Sequence, residues 1–220
     1  PASPLYLIGP MMLAAAAHAS VPVAVHLDHG KTLPCIREAL ELGFTSVMCD
    51  GSDLPIDENV RLTQTVVSMA AGTGAAVEAE VGRVGKNEDG SAASEQIATL
   101  DDCLRMDETG IDALAIGIGN AQGLYATLPK LRYDVVEEAH GKLHAALVLH
   151  GGSGLTDEQF QTLVRLGMRK LNIATDLFRA QAGACRGTDI FANIRDSREA
   201  VAQVAERYIR LFGSEGKAQA

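Results

Sequence analysis

The most constraining feature of the sequence is a repeated unit, in which a short apolar run ends in polar or glycine residues and a helix-like stretch follows. Seven such runs occur: SPLYLIG (3–9), PVAVHLDHG (22–30), FTSVMCDGS (44–52), AAVEAEVG (75–82), IDALAIGIGN (111–120), AALVLHGGSG (145–154) and KLNIATD (170–176). The helix-like segment at 156–167 starts at an N-cap residue, Thr156, and stops at Gly167. Strands that alternate with helices predict a parallel sheet, and nearly continuous hydrophobicity in the strands predicts that both of its faces are covered.

Two α/β architectures use this order of units, and two features favour a (β/α)8 TIM barrel over a doubly wound open sheet. Polar residues with chemical potential end strands along the whole chain, whereas a doubly wound sheet concentrates them near one switch point. No GxGxxG motif follows the first run. Because seven runs cannot close an eight-stranded barrel, we expect the first strand unit to be missing from this chain. We predict a single barrel domain over residues 1–220, with helices at its C-terminal end.

Charge, hydropathy and cysteine content exclude several classes of partner. The formal net charge is −9 and no basic block occurs, so nucleic acid and anionic membrane are poor partners. No apolar stretch is long enough to span a bilayer. The four cysteines lie far apart without CxxC spacing, which is typical of reduced thiols in a cytoplasmic protein rather than of a disulfide framework.

The predicted strand ends carry the residues that suit a metal site. Because the carboxyl ends of barrel strands meet on one face, these side chains are expected to converge there. Imidazoles and carboxylates from separate strands suit a divalent metal of the zinc type. For each histidine taken alone, a hydrogen-bonded structural role remains the alternative. The strand-end residues are His26, Asp28, His29, Asp50, Ser52, Asp53, Glu78, Glu80, Asn120, Gln122, His150, Asn172, Thr175 and Asp176.

Two loops near the end of the chain suit an anion. HGGSG (150–154) is a glycine-rich turn before a helix, where successive backbone N–H groups bind phosphate well. An ordinary tight turn is the alternative for this loop. NIAT (172–175) ends the next predicted strand. Since the last two loops of a barrel frequently form a phosphate site, the pair favours a phosphorylated substrate.

Six motifs follow one another along the chain: HLDHG, SVMCDGSDLP, VEAEVG with NEDG after it, IGNAQGLY, LVLHGGSGL and KLNIATD. In this order they resemble the class II, metal-dependent ketose-bisphosphate aldolases, the fructose- and tagatose-1,6-bisphosphate aldolase family. The resemblance covers nearly the whole chain. It implies a TIM barrel that reversibly cleaves fructose- or tagatose-1,6-bisphosphate to dihydroxyacetone phosphate and glyceraldehyde 3-phosphate.

The resemblance also implies roles for individual residues. Asp28 matches the catalytic aspartate that moves the proton of the hydroxyl at the cleaved bond. Glu88, in the NEDG loop, matches a mobile-loop glutamate that moves the proton on the dihydroxyacetone phosphate carbon. His29 and His150 match two of three zinc ligands, and Glu80 matches a glutamate that holds the metal in an alternative position. The positions that match phosphate and ketose contacts are Gly123, Gly151, Gly152, Ser153, Asn172, Ala174 and Thr175.

One position departs from the family pattern, because Gln122 stands where the third zinc histidine is expected. A glutamine offers a weak carbonyl oxygen in place of an imidazole nitrogen. Three outcomes stay open: metal held by His29, His150, Glu80 and water at reduced affinity, a loss-of-metal variant, or a paralogue that has left aldol chemistry. The alternative function is therefore a catalytically weakened or silent sugar-phosphate-binding protein.

Two other catalytic classes fit the residues poorly. A Schiff-base aldolase needs a lysine inside the barrel, and the one lysine in the strand runs, Lys170, is predicted at the start of its strand, the wrong end. A barrel metallohydrolase would usually carry HxH on its first strand and a metal-bridging lysine, neither of which is seen.

The resemblance completes the set of expected partners. It implies a phosphorylated ketose as substrate and Zn²⁺ as cofactor, with a monovalent cation as a second candidate. It also implies a homodimer or homotetramer.

Overall fold

The computed structural model describes residues 4–86, 96–123, 125 and 127–218. The helices of this part are α1 (Leu5–Ala17), α2 (Leu33–Leu42), α3 (Ile56–Ala70), α4 (Leu100–Asp107), α5 (Tyr133–Ala139), α6 (Asp157–Arg165), α7 (Thr175–Ala184) and α8 (Ile190–Leu211). Its strands are β1 (His26–Gly30), β2 (Ser46–Cys49), β3 (Ala76–Val81), β4 (Gly85–Lys86), β5 (Ala113–Ile116), β6 (Ala121–Gln122), β7 (Ala146–Leu149) and β8 (Met168–Leu171). Across these described ranges, every helix is too short or too polar to cross a membrane.

Six strands form one parallel sheet in the order β1-β2-β3-β5-β7-β8. The short strands β4 and β6 pair in parallel beside it. The sheet is curled, since Lys170 of β8 reaches Glu78 of β3 and Asn172, just after β8, approaches Asp28 of β1. Helices alternate with the strands as predicted. The fold is a partial TIM barrel, which confirms the predicted architecture with strands missing from the closed ring.

The first predicted strand is wrong, because residues 5–17 form helix α1. Its sequence, LYLIGPMMLAAAA, is apolar on all sides and ends in four alanines, the residue with the highest helix propensity. Pro10 lies inside the helix, where its ring normally disfavours helical backbone. The main sheet therefore contains six of the seven predicted strands.

The sheet separates a small interior cluster from a large outer core. Met48, Ala115 and Val148 point into the curl and pack with one another. On the outer face, residues of alternate parity such as Val47, Leu114 and Leu149 are fully buried against the helices. The interior thus holds few apolar side chains and leaves room for charged groups among them.

Helix α6 is held by a hydrogen-bonded cap at its first turn and by aromatic contacts with the C-terminal helix. Thr156 forms a capping box with Gln159, in which each side chain binds the other residue's backbone N–H. Phe160 is fully buried and packs edge-on against Tyr208, with Phe212 also in contact. Since Tyr208 lies on α8, this aromatic group ties the C-terminal helix to the barrel wall next to the HGGSG loop.

Candidate active site

The side chains that follow the strands meet around a pocket of about 410 Å³. It lies at the carboxyl ends of β1, β7 and β8, where a barrel places its active site. The pocket is lined by Asp28, His29, Gln122, Gly123, His150, Gly151, Ser153, Leu171, Asn172, Ile173, Ala174 and Thr175. Of the other predicted site residues, Glu80 lies beside the histidines, Gly152 is buried in the loop behind the wall, and Glu88 falls outside the described residues.

A distorted backbone lets β1 present two consecutive side chains to the pocket. His29 has φ 49°, the one positive value among the described residues other than glycine. The pairing of β1 with β2 also shifts register between Leu27 and Gly30. In a regular strand Asp28 and His29 would point to opposite faces of the sheet. The bulge and the left-handed residue turn the His29 ring to the same side as Asp28.

The orientation of the His29 ring is set by a carboxylate behind it. Nδ1 of His29 donates to Oδ2 of Asp50 at 2.6 Å. Asp50 also accepts from Lys31 Nζ at 2.6 Å and from Ser52 Oγ at 2.7 Å. Burial alone would raise the pKa of Asp50, but these three donors outweigh it and hold that pKa well below its usual range. A carboxylate that only accepts keeps the proton of His29 on Nδ1, so Nε2 faces the pocket.

His150 is held in the same manner by the interior of the barrel. Its side chain is buried, and Nε2 donates to Oε1 of Glu78 at 2.8 Å. Lys170 donates to the other oxygen of Glu78, also at 2.8 Å. Burial opposes ionisation, yet the His150 and Lys170 contacts lower the pKa of Glu78 to about 2. Nδ1 of His150 is then the nitrogen directed at the pocket.

The placement of Lys170 corrects the sequence prediction. It is the third of four residues in β8, and its amine points into the barrel rather than lying at the wrong end of the strand. The amine is engaged in an ion pair with the buried Glu78. An ion-paired ammonium has no lone pair with which to attack a carbonyl, so the argument against Schiff-base chemistry now rests on this pairing.

The two imidazoles meet at a point that suits a cation. Nε2 of His29 and Nδ1 of His150 lie 3.0 Å apart, and with the tautomers above both carry lone pairs. Oε2 of Glu80 is buried without a hydrogen-bond partner in the described structure, and it lies 3.9 Å from Nδ1 of His150 and 4.0 Å from Nδ1 of His29, the nitrogen that binds Asp50. Burial raises the pKa of Glu80. Two facing lone pairs beside a buried carboxylate oxygen that has no hydrogen-bond partner are donors that suit a divalent metal, and these residues fit zinc.

Gln122 reaches the same point from the other side of the pocket. It ends the short strand β6, and its Nε2 lies 2.6 Å from Nε2 of His29. The side-chain amide therefore donates to the lone pair that a metal would use. Rotation of the amide would present the carbonyl oxygen instead, a neutral and weak ligand. Gln122 therefore reaches the point at which the two histidines meet, where the family resemblance predicts the third ligand.

Three contacts join the IGNAQGLY loop to the HGGSG loop. Asn120 is fully buried and donates from Nδ2 to the carbonyl of His150 at 2.7 Å. The Tyr125 hydroxyl donates to the carbonyl of Gly151 at 2.7 Å and accepts from the N–H of Ala121. Gly151 has φ 62°, and a Cβ on it would lie 2.1 Å from the Ala121 carbonyl oxygen. The two loops therefore fix the relative positions of Gln122 and His150.

The HGGSG loop and the start of α7 form the part of the pocket that suits an anion. The Ser153 hydroxyl accepts from the N–H of Ala174 at 3.2 Å and of Asp176 at 3.3 Å. This brings the glycine-rich turn against the first turn of α7, which begins at Thr175. N–H groups in a first helical turn have no partner within the helix and attract phosphate.

Asp28 is the exposed carboxylate of the site. Its Oδ1 accepts from Nδ2 of Asn172 at 3.4 Å, and it lies in the cluster of possible metal-ligating groups with His29 and His150. An exposed carboxylate beside a metal position is well placed to accept a substrate proton. His26, which precedes it on the same strand face, bonds to Ser46 deeper in the barrel and does not line the pocket.

Sequence reasoning did not assign roles to four residues that orient the site: Lys31, Asp50, Glu78 and Lys170. The sequence placed Asp50 and Glu78 at strand ends, but their distance along the chain from the histidines did not show which histidine each carboxylate would bind. Only the sheet register, which sets Met48 beside Glu78 and Glu80 beside Ala115, shows which side chains share the interior.

Comparison with known proteins gives the family. The family model described as "Fructose-bisphosphate aldolase class-II" matches residues 2–217. A 6-phospho-5-dehydro-2-deoxy-D-gluconate aldolase of Halalkalibacterium halodurans is 40% identical, over 91% of this chain and 73% of its own length. A fructose-bisphosphate aldolase of Streptococcus pneumoniae is 41% identical, over 90% of this chain and 74% of its own.

A solved structure agrees with these relatives. The crystal structure of the YdjI aldolase from Escherichia coli K12 superimposes with a TM-score of 0.87 at 35% identity, covering 99% of this chain and 79% of that one. A partial parallel barrel with a histidine and carboxylate cluster at its mouth is the framework of a metal-dependent lyase. The chain belongs to the class II fructose-bisphosphate aldolase family, and it is an enzyme of the aldolase class.

Proposed function

We propose that the protein is a metal-dependent aldolase that cleaves a phosphorylated ketose, with fructose- or tagatose-1,6-bisphosphate as the first candidates. The observation that carries the proposal is the meeting of His29, His150 and the unpaired Glu80 beside the exposed Asp28. The relatives named above act, by their names, on fructose bisphosphate and on 6-phospho-5-dehydro-2-deoxy-D-gluconate. The latter is therefore included among the substrates to be tested.

In the proposed retro-aldol cleavage, the residues of the pocket have different roles. His29, His150 and Glu80 would hold a divalent metal such as zinc, which would supply positive charge as a Lewis acid to the oxygen that becomes negative during cleavage. Asp28 accepts the proton of the substrate hydroxyl at the bond that breaks, and Asn172 orients its carboxylate.

The phosphate is assigned to the opposite wall of the pocket. The backbone N–H groups of Gly123, Gly151, Ser153 and of Thr175, the first residue of α7, are assigned to bind it. Gly152 and Ala174 shape the same wall, since their N–H groups bind the Asn172 carbonyl and the Ser153 hydroxyl. The net charge of −9 means that the chain cannot steer an anion over long distances. The attraction for phosphate must therefore come from local groups, such as the N–H groups of the HGGSG loop. The same geometry would serve any substrate that carries phosphate at this end.

Several parts of the expectation remain proposals. Glu88 is proposed as the residue that moves the second proton, on the carbon of dihydroxyacetone phosphate. A monovalent cation, a homodimer or homotetramer, and a cytoplasmic location likewise stay predictions. The free state of all four cysteines agrees with a reducing compartment.

Gln122 supports a second candidate function, a sugar-phosphate-binding protein with weak or no catalysis. Its amide donates to His29 in the place of the third histidine, so it competes with metal for that nitrogen. Phosphate binding without turnover would identify this form.

The first experiment measures dihydroxyacetone phosphate release from the three candidate substrates by the protein as purified, after EDTA, and after zinc is returned. We expect activity that EDTA abolishes and zinc restores. The variant Asp28→Asn keeps the shape of the side chain and removes the base, so its kcat should fall by about 10²- to 10⁴-fold with zinc content unchanged. Gln122→His should raise zinc occupancy.

Each negative result has a definite meaning. No release in any condition, with the fold intact, would refute aldolase activity on these ketoses. If Gln122→His raised neither zinc occupancy nor activity, the assignment of Gln122 to a ligand position would be withdrawn.

A further inference from the structure

The two histidines that face the pocket are backed by chains of the same composition. In one, Lys170 donates to Glu78 and Glu78 accepts from His150, with both contacts at 2.8 Å. In the other, Lys31 donates to Asp50 and Asp50 accepts from His29, with both contacts at 2.6 Å. Each hydrogen-bonded series consists of a lysine, a carboxylate and an imidazole. In each, the ring nitrogen that does not bind the carboxylate (Nδ1 of His150, Nε2 of His29) points to the place where the two rings meet.

The two chains differ in how many donors hold the carboxylate. Asp50 also receives the hydroxyl and the N–H of Ser52. Glu78, whose side chain is 2% exposed, has only Lys170 and His150 as hydrogen-bond donors among the described residues. Lys170 is the charged one of these two donors, and the nearest further nitrogen, Nε2 of His26, lies 4.0 Å from Oε2 of Glu78, beyond hydrogen-bond distance. A buried carboxylate that loses its ammonium partner is left undercompensated, at a high cost in free energy. His150 therefore depends on its lysine more than His29 does.

We propose that Lys170 is a positioning residue for the metal site, which fixes Glu78 and through it the tautomer and direction of the His150 ring. The inference rests on the proposed function, because it takes His150 as a metal ligand. Lys170 is not among the described residues that line the pocket, and its amine binds Oε2 of Glu78 while His150 binds Oε1. Without the amine, nothing holds the second oxygen of Glu78, so its carboxylate rotates and Nδ1 of His150 no longer points at Nε2 of His29.

The test compares zinc binding by three lysine variants, measured by competition with a chromophoric chelator. Lys170→Met removes the charge and keeps the length of the side chain, and we expect zinc affinity to fall by about 10- to 100-fold. Lys170→Arg retains a donor to Glu78 and should restore most of the affinity. Lys31→Met is the matched control, with a smaller loss because Ser52 still holds Asp50.

A second readout separates positioning from a general loss of structure. In the metal-free protein, nuclear magnetic resonance of isotope-labelled histidine reports which ring nitrogen of His150 carries the proton. The parent should show it on Nε2, and Lys170→Met should show a mixture. If Lys170→Met does not fold, Glu78→Gln, which has nearly the same shape, replaces it and should give the same weakened zinc binding.

The outcomes are distinct. If the parent binds zinc and Lys170→Met binds it as tightly with the same tautomer, the positioning role is refuted and the proposed function stands. A loss that Lys170→Arg does not reverse also overturns the role, because it would reflect packing alone. A parent that binds no zinc overturns the proposed function and this inference together.

Discussion

Gly151 shows how a single residue controls the spacing of the site. Its φ is 62°, and a Cβ at this position would come within 2.1 Å of the Ala121 carbonyl oxygen, so there is no room for a side chain. Gly151→Ala must push the Ala121 loop away and carry Gln122 with it. A shift of about 1 Å at reacting groups costs about a hundredfold in rate, so we expect a loss of that order in kcat/KM.

The control for this prediction is another glycine in left-handed backbone. Gly141 has φ 81° with nothing near the position of a Cβ, so Gly141→Ala adds strain without a clash. Both variants should be less stable by about 1–2 kcal/mol from the backbone term alone. Steady-state kinetics beside thermal melting should show that only Gly151→Ala loses activity beyond what its stability explains. Equal losses in the two variants would contradict the role given to the loop contact.

At this scale, the sequence pointed to the two histidines that line the pocket but not to the residues that orient them. HLDHG and HGGSG each place a histidine at a strand end, and their order with the other motifs of the chain is what pointed to His29 and His150 as metal-ligand candidates. Asp50 and Glu78 lie 21 and 72 residues from the histidines that they orient. No local spacing encodes such a pair, because it depends on sheet register.

Among the elements, helix α6 has the most clearly encoded start. The hydroxyl of Thr156 binds the N–H of Gln159, which would otherwise have no partner at the helix end. Thr156→Ala should lower the free energy of unfolding by about 1 kcal/mol, measured by urea denaturation. The matched control is Thr65→Ala in α3, where the exposed hydroxyl bonds only to the carbonyl of Arg61. That change should be neutral or slightly stabilising, since alanine favours helix; an equal loss in both would show that the cap contributes nothing.

Helix α1 shows where an element could not be predicted. Residues 3–9 are apolar with neither a two-residue nor a 3.6-residue period, so a short buried strand and a helix are equally consistent with them. The alanines that favour helix come later, at 14–17. Pro10 lies between the two parts, and the helix continues through it.

For the molecule as a whole, the reactivity of the four cysteines measures which parts of the fold exclude solvent. Burial raises the pKa of Cys49 to about 11 and of Cys103 to about 12, and neither side chain is exposed. At pH 8 both therefore stay as protonated, inaccessible thiols. Cys185 is exposed and Cys35 partly so.

Alkylation with iodoacetamide at pH 8 should then add two groups to the native protein and four in urea, read by intact mass. Cys185→Ser should lower each count by one. A third adduct without denaturant would show that the sheet opens locally around β2 or α4, which carry the two buried cysteines.

The architecture could be predicted from the sequence because the unit of one strand and one helix repeats along the chain. Each strand and helix unit carries its own signal, so the loss of one prediction at α1 left the parallel sheet unchanged. The curl of the sheet carries no such local signal. It shows in contacts across the interior, such as Lys170 with Glu78, that join distant strands.

The bulge at His29 has a consequence for how the site tolerates motion. Asp28 and His29 are neighbours in the chain, so their Cα atoms are about 3.8 Å apart whatever the rest of the barrel does. Strands of a parallel sheet can slide or breathe against one another, and a base and a ligand on two strands would separate as they did. In the proposed site the base Asp28 and the ligand His29 are instead joined by one peptide bond. Because the left-handed conformation of His29 lets both side chains face the pocket, sliding between strands cannot pull their backbones apart.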